Sequence, residues 1–264
     1  ERYLGLPTVV GRGKDGTFKY VKDSAKGKVS GWKGQGLSKM AREVLVKSGL
    51  QSTPTFTMSC FQLTKKMCGK LSSISSNFWW GAVNDEKKVH WIAWDKMCTR
   101  KHEGGLGFRD PKVFNQALLA KQAWHLLDCP QSLCTRLLRA KYFPHGNLLD
   151  TVFPANSSAV WKGFVHGLEL VKKGIIWRVG DGSLIKTWRD AWIPRGHNLQ
   201  PVTPKRNCRL NWVANFLDEH GAWNMQRLRE HFWDMDVRGI LKIRTSPGNG
   251  QDFLAWFPKR SGQV

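Results

Sequence analysis

Nine basic side chains fall in one stretch near the start of the chain: Lys14, Lys19, Lys22, Lys26, Lys28, Lys33, Lys39, Arg42 and Lys47. Phe18, Tyr20 and Trp32 lie among them. Lysines contact phosphates without reading sequence, and aromatic rings stack on unpaired bases. The chemistry this stretch offers is therefore phosphate neutralisation. Other arrangements offer less. Gly11, Gly13 and Gly16 have the spacing of a dinucleotide-binding turn, but no apolar helix opens at the third glycine, so they read as a flexible basic loop. Gly180-Asp181-Gly182 could cradle a phosphate on backbone amides; its alternating flanks read instead as a tight hairpin turn. Cys98 and His102 have a ligand spacing without a second pair. Asp85-Glu86 and Asp218-Glu219 are paired carboxylates, but adjacent positions face apart. No G-x-S-x-G, H-E-x-x-H or Walker motif occurs, and no catalytic residue or metal ligand is assigned.

The elements that must position these groups are mostly helices. Tyr3 to Val10 reads as a strand interrupted by Pro7, hence at an edge. A helix fits Ser38 to about Ser48, with Leu37, Met40 and Val44 on one face and Lys39, Arg42 and Lys47 elsewhere; Gly49 marks its stop. Thr53-Pro54 opens a long helix whose stripe is Cys60, Leu63, Met67, Leu71, Ile74 and Phe78. Phe78-Trp79-Trp80-Gly81 ends it. Val89 to Met97 reads as a short strand or buried turn, and Gly104 to Gly107 as a hinge-like linker. Asp110-Pro111 starts a helix carrying Phe114, Ala117, Leu118 and Leu126. Another spans about Ser132 to Tyr142, with Leu133, Leu137 and Leu138 inward. Ser158 caps a helix that Gly174 terminates. Ile175–Val179 and Leu184–Trp188 alternate and read as a hairpin. One or two short helices fit Leu210 to about His231. Trp79, Trp80, Trp161, Trp188, Trp192 and Trp212 read as core. The fold class is α+β and predominantly helical: a helical bundle followed by a small helical and hairpin region.

Lys+Arg total 42 against 20 for Asp+Glu, a net charge of +22 over 264 residues. Solubility needs far less, so a polyanionic partner is expected, nucleic acid before an anionic membrane surface. No apolar run approaches the length of a bilayer span, and no membrane partner is expected. The six cysteines form no C-x-x-C, and no secretory signal precedes them. An intracellular, reducing setting is expected.

Short strings along the whole chain resemble, in order, the reverse transcriptases of plant LINE-type (non-long-terminal-repeat) retrotransposons. They include Tyr3-Leu4-Gly5-Leu6-Pro7, Val29-Ser30-Gly31-Trp32-Lys33, Pro54 to Phe61, Phe78-Trp79-Trp80-Gly81 and His90-Trp91 with Trp94-Asp95. They continue with Glu103 to Asp110, Phe114 to Gln122, Ala140 to Pro144, Trp177 to Gly182 and Trp188 to Trp192. Each string is weak alone; their joint order is specific.

The resemblance implies a layout and a function. Residues 1–18 would be the end of the palm with the primer-grip strand and a loop, and 19–103 a helical thumb. Residues 104–174 would be a helical connection, 175–250 a hairpin plus short helices, and 251–264 the start of a truncated zinc-binding segment. The expected function is a non-catalytic part of an RNA-directed DNA polymerase that clamps an RNA template and DNA primer duplex during target-primed reverse transcription. Tyr3, Leu4, Gly5, Lys14, Lys19, Lys22, Lys26, Lys28, Trp32, Lys33, Lys39, Arg42 and Lys47 would contact the nucleic acid. The family's catalytic carboxylates with their Mg²⁺ would lie upstream of Glu1, and its Zn²⁺ ligands downstream of Val264, so no cofactor is expected in this chain. The remainder of a polyprotein would be a partner, and the nucleus the compartment of an active element. Ser24 to Gly27 and Ser48-Gly49 depart from the family pattern and fit a relic copy. The alternatives are a stand-alone basic nucleic-acid-binding protein, or a pseudogene product, derived from such an element.

Overall fold

The computed structural model describes residues 2–11, 13–32, 35–81, 89–151, 153, 156–196, 198–245 and 250–257. Lys33, the Asp85-Glu86 pair and residues 258–264 lie outside them. The fold is predominantly helical α+β, 51% helix, with two two-stranded sheets among the described residues. The chain divides into two compact units, Glu1–Leu170 and Val171–Val264, and the division falls within one helix.

The first unit opens with a hairpin of β1 (Arg2–Tyr3) and β2 (Leu6–Pro7). The turn is Leu4-Gly5, with φ of 50° and 80°. The expected single edge strand is thus two short strands. A two-residue turn with both φ positive is ordinarily announced by Asn-Gly or Asp-Gly, and Leu-Gly carries no such signal. The glycines at 11, 13 and 16 do not form a loop throughout: α1 (Lys14–Thr17) starts after Gly13. It is followed by α2 (Lys19–Trp32), which buries Val21 and Ala25 beside Phe18.

Ser38 caps α3 (Lys39–Leu45), its hydroxyl accepting from the Ala41 amide at 3.2 Å. The helix then widens into a π-turn over Val46–Leu50. The buried face differs from the expected one: Val46 and Leu50 are buried, while Met40 and Val44 are 80% and 62% exposed. On a regular helix Val46 and Leu50 lie away from the side of Met40 and Val44, and periodicity alone does not say which apolar side faces the core.

The expected long helix is two, α4 (Thr55–Cys60) and α5 (Lys65–Trp80). Thr64 caps the second, accepting from the Met67 amide at 3.1 Å. The break is stabilised from a distance. Asn115, 3% exposed, donates to Met58 O at 2.7 Å and Phe61 O at 3.0 Å, and accepts from the Leu63 amide at 2.9 Å. Backbone groups released by the break therefore find partners on another helix. Gly81 ends α5 at φ 76°, as the sequence indicates.

Val89 to Ala93 is exposed coil leading into α6 (Trp94–Cys98), neither a strand nor a buried turn. Gly104 to Gly107 is not a hinge. Gly105 N, Leu106 N and Gly107 N donate to Arg100 O, Met97 O and Thr99 O at 2.9–3.1 Å, which fixes the loop. Asp110 caps α7 (Pro111–Asp128), accepting from the Lys112 and Val113 amides. Ser132 caps α8 (Leu133–Tyr142), but Leu133 and Leu137 point outward at 70% and 63% exposure and Thr135 is the buried residue. Ser158 accepts from the Trp161 amide at the start of α9 (Ala159–Gly174). The core of this unit runs from Phe18 through Met58, Met67, Leu71, Phe78 and Trp79 to Phe108.

In the second unit β3 (Ile175–Arg178) pairs antiparallel with β4 (Phe253–Trp256), in register Ile175 with Trp256 and Arg178 with Phe253. The expected 175–188 hairpin does not form. Leu184 to Trp188 lies against 211–213: Thr187 N donates to Asn211 O at 2.9 Å and Val213 N to Ile185 O at 3.0 Å. Alternation shows that a segment is extended; it does not choose the partner. Two further helices, α10 (Met225–His231) and α11 (Asp234–Ile240), close the core of Ile185, Trp192, Ile193, Val213, Phe216, Leu228 and Ile240. Trp212 is 41% exposed rather than core.

Candidate nucleic-acid interface

Burial of Phe18, Val21 and Ala25 fixes the orientation of α2, and so fixes where its lysines go. Lys19, Lys22 and Lys26 are spaced three and four residues apart and share one side. Lys19 and Lys26 are exposed. Lys22 is half-buried, with Nζ 3.6 Å from the Asp23 carboxylate. Such a solvent-accessible pair contributes little and leaves the cation available. Lys28 lies around the helix from them, its Nζ 3.4 Å from Gly49 O.

The hairpin is tied to the same helix. The Arg2 guanidinium sits 4.5 Å above the Tyr20 ring, and the Tyr20 hydroxyl is 2.8 Å from Thr57 Oγ1. Tyr3 and Leu4 project from the tip at 70% and 74% exposure, beside Gly5. Lys14 is half-buried on α1. Its neighbour Asp15 accepts from Thr64 Oγ1 and faces Lys66 at 3.8 Å, bringing the cationic first turn of α5, Lys65 and Lys66, to α1. Sequence reading missed Arg2, Lys65 and Lys66, because only long-range contacts place them here.

Three of the sequence-selected residues are held by internal contacts. Trp32 packs 5.4 Å from the Phe78 ring and against the backbone at Gly49, where an added Cβ would lie 2.4 Å from the indole. Arg42 Nη1 donates to Trp79 O at 3.4 Å at the C-terminal end of α5, where a cation suits the helix dipole. Lys47 bonds Glu43 at 2.6 Å and Leu106 O at 2.8 Å, and its hydrogen bond is the first cause that holds the Glu43 carboxyl below its ordinary range. Lys28 is exposed. Lys39 is exposed, its Nζ 5.1 Å and 4.8 Å from the Trp79 and Trp80 rings. Phe18 is 1% exposed and Tyr20 half-buried, so both rings serve the core.

The amides of the Gly180 turn do bind an anion, but it is the chain's own. Asp252 Oδ1 accepts from Gly180 N at 2.7 Å and Gly182 N at 2.9 Å, and Oδ2 from Leu184 N at 2.9 Å. Among the described residues no group of three His, Cys, Asp or Glu is placed to hold a metal ion. Burial, then the charges of Asp110 and Asp95, push the Cys98 thiol up to about 12, away from the thiolate a metal requires. No described helix is long and apolar enough to cross a membrane.

These features define a class: a basic, mainly helical two-unit protein with a cationic helix face and an exposed hairpin tip. No protein-family model matches the chain. An uncharacterized mitochondrial protein of Arabidopsis thaliana is 43% identical over 150 residues, covering 56% of this chain and 97% of that protein. The chain belongs to the family of that protein. A putative ribonuclease H protein of Arabidopsis thaliana is 35% identical over 192 residues, covering 71% of this chain and 31% of that relative. The chain thus spans about a third of the length of the longer relative.

Proposed function

We propose that this is a plant retroelement-derived protein whose first unit binds a nucleic-acid duplex, in the manner of a reverse-transcriptase thumb gripping template and primer. The observation that carries this reading is the Lys19, Lys22 and Lys26 side of α2, oriented by burial of Phe18, Val21 and Ala25. Lys14, Lys39 and the Tyr3-Leu4-Gly5 tip extend the same interface. Trp32, Arg42 and Lys47 act by positioning these elements, and Lys28 is a further exposed cation of α2. The ordered family strings and the relative named as a putative ribonuclease H protein support the retroelement origin. An RNA–DNA hybrid is the duplex this origin favours. The reading gives the chain a binding part and no polymerising one, and the nucleus is the compartment that an active element would require.

The short mitochondrial relative favours a second reading, because the chain covers 97% of its length. The same basic surface would then serve a stand-alone binding protein. Fluorescence anisotropy of a labelled RNA–DNA hybrid tests the duplex contact common to both. Affinity is expected to fall steeply with salt, with a log–log slope of about 0.9 per neutralised phosphate. Affinity that stays level from low to physiological salt would overturn it.

A further inference from the structure

We infer that Trp91 is a stacking platform for an unpaired nucleotide next to the bound duplex, an inference that rests on the nucleic-acid reading above. The expected stacking rings, Phe18, Tyr20 and Trp32, are packed inward, yet Trp91 is 80% exposed. Val89 and Ile92 beside it are 68% and 50% exposed, and Met40 and Val44 on α3 are also outward. Scattered exposed apolar residues are ordinary; three large ones within four consecutive positions are a feature.

The segment is also held in place. The His90 ring stacks on Trp80 at 6.0 Å and 19°, with Nδ1 3.3 Å from Ser76 Oγ. On the other side Ala93 O accepts from Lys96 N and Met97 N, starting α6. Trp91 therefore extends from a backbone anchored on both flanks, so little ordering entropy remains to be lost on contact. Lys39 lies over the same Trp80 indole at 4.8 Å. One Trp80 ring thus brings an exposed ammonium and the His90–Trp91 segment together.

An exposed indole, next in sequence to a histidine that shares the Trp80 ring with the Lys39 ammonium, offers the two parts of a nucleotide site, a π-face and a cation for phosphate. A protein partner fits less well, because the core of a protein interface is depleted of lysine. The net charge of +22 favours a polyanion over a second copy of the same chain. The nucleotide must be unpaired, because bases inside a duplex already stack on each other.

The test compares an RNA–DNA hybrid bearing a short single-stranded overhang with its blunt counterpart, using the full chain, W91A, W91F and the triple variant K19E/K22E/K26E. W91A is expected to weaken overhang binding about 5- to 150-fold, leave blunt-duplex affinity unchanged and keep its circular dichroism spectrum. W91F should retain most of the overhang affinity. Equal overhang binding by W91A and wild type, with K19E/K22E/K26E still impaired, overturns the stacking role and leaves the duplex reading standing. Wild type that binds neither probe overturns both. A dimer that W91A dissociates, with oligonucleotide affinity unchanged, assigns the face to a second copy and also overturns the inference.

Discussion

The carboxylate of Asp252 sits 2.7 Å from the backbone amide of Gly180, across 72 residues of chain. Together with Gly182 N and Leu184 N that amide forms a three-amide cradle, and Asp252 is 6% exposed. Gly180 carries no Cβ, which would lie 2.0 Å from Gly250 O. Hydrogen bonds to a charged group contribute about 1.5–3 kcal/mol each, and removing the carboxylate leaves the amides without a partner. D252A is expected to destabilise the protein by about 3 kcal/mol or more and to release β4. Urea denaturation, with hydrogen exchange at Phe253–Trp256, measures both.

Gly49 separates two explanations by sign. Helix propensity predicts that G49A gains about 1 kcal/mol. The packing of Trp32 against it predicts a destabilisation of about 1–3 kcal/mol, because the new methyl must displace a packed ring. G49A is expected to lower the denaturation midpoint. A higher midpoint would make Gly49 a helix-weakening change instead.

Asp236 is fully buried and makes stability depend on acid. Burial by itself raises its pKa. Hydrogen bonds from the Thr203 side chain and amide and the Val202 amide, with Arg195 at 2.6 Å, outweigh burial and hold the carboxyl below its ordinary range. A depressed folded pKa contributes stability above the unfolded value of about 3.9, and that stability is lost as pH falls through the folded pKa. Wild type should therefore lose stability below about pH 4. D236N should be less stable than wild type at neutral pH, and the difference should narrow towards acid. Denaturation midpoints taken between neutral and acid pH check this; a constant difference would exclude the linkage.

The lysines of the basic stretch should separate by role. K19E/K22E/K26E is expected to weaken hybrid binding and reduce the salt slope by about 0.9 for each phosphate no longer neutralised, with stability within about 0.5 kcal/mol of wild type. K47E should do the reverse, costing about 1–3 kcal/mol of stability by placing a second carboxylate against Glu43 and removing the bond to Leu106 O. Equal reductions in binding for both variants would place the surface elsewhere.

The sequence by itself determined what neighbouring residues decide. Asp110 and Ser158 cap helices as expected, and Ser38 and Ser132, read only as helix starts, prove to be caps as well, because a cap bonds amides two or three residues away. The predominance of helix and the strong positive charge were legible for the same reason. Tertiary structure decided the rest. Asn115 stabilised the break between α4 and α5 from more than fifty residues away. Tertiary packing buried Val46 and Leu50 and left Met40 and Val44 in solvent. β3 took β4 as partner rather than the adjacent alternating segment, and Asp252 filled the amides that a hairpin turn was expected to use. The division of one basic run into exposed cations and internal struts was likewise set by packing. A side chain's charge is written in the sequence, but its desolvated partner is found only when distant segments meet. Caps and periodicity act within a helical turn; strand pairing, helix breaks and the choice of exposed face depend on contacts whose closure no local pattern encodes.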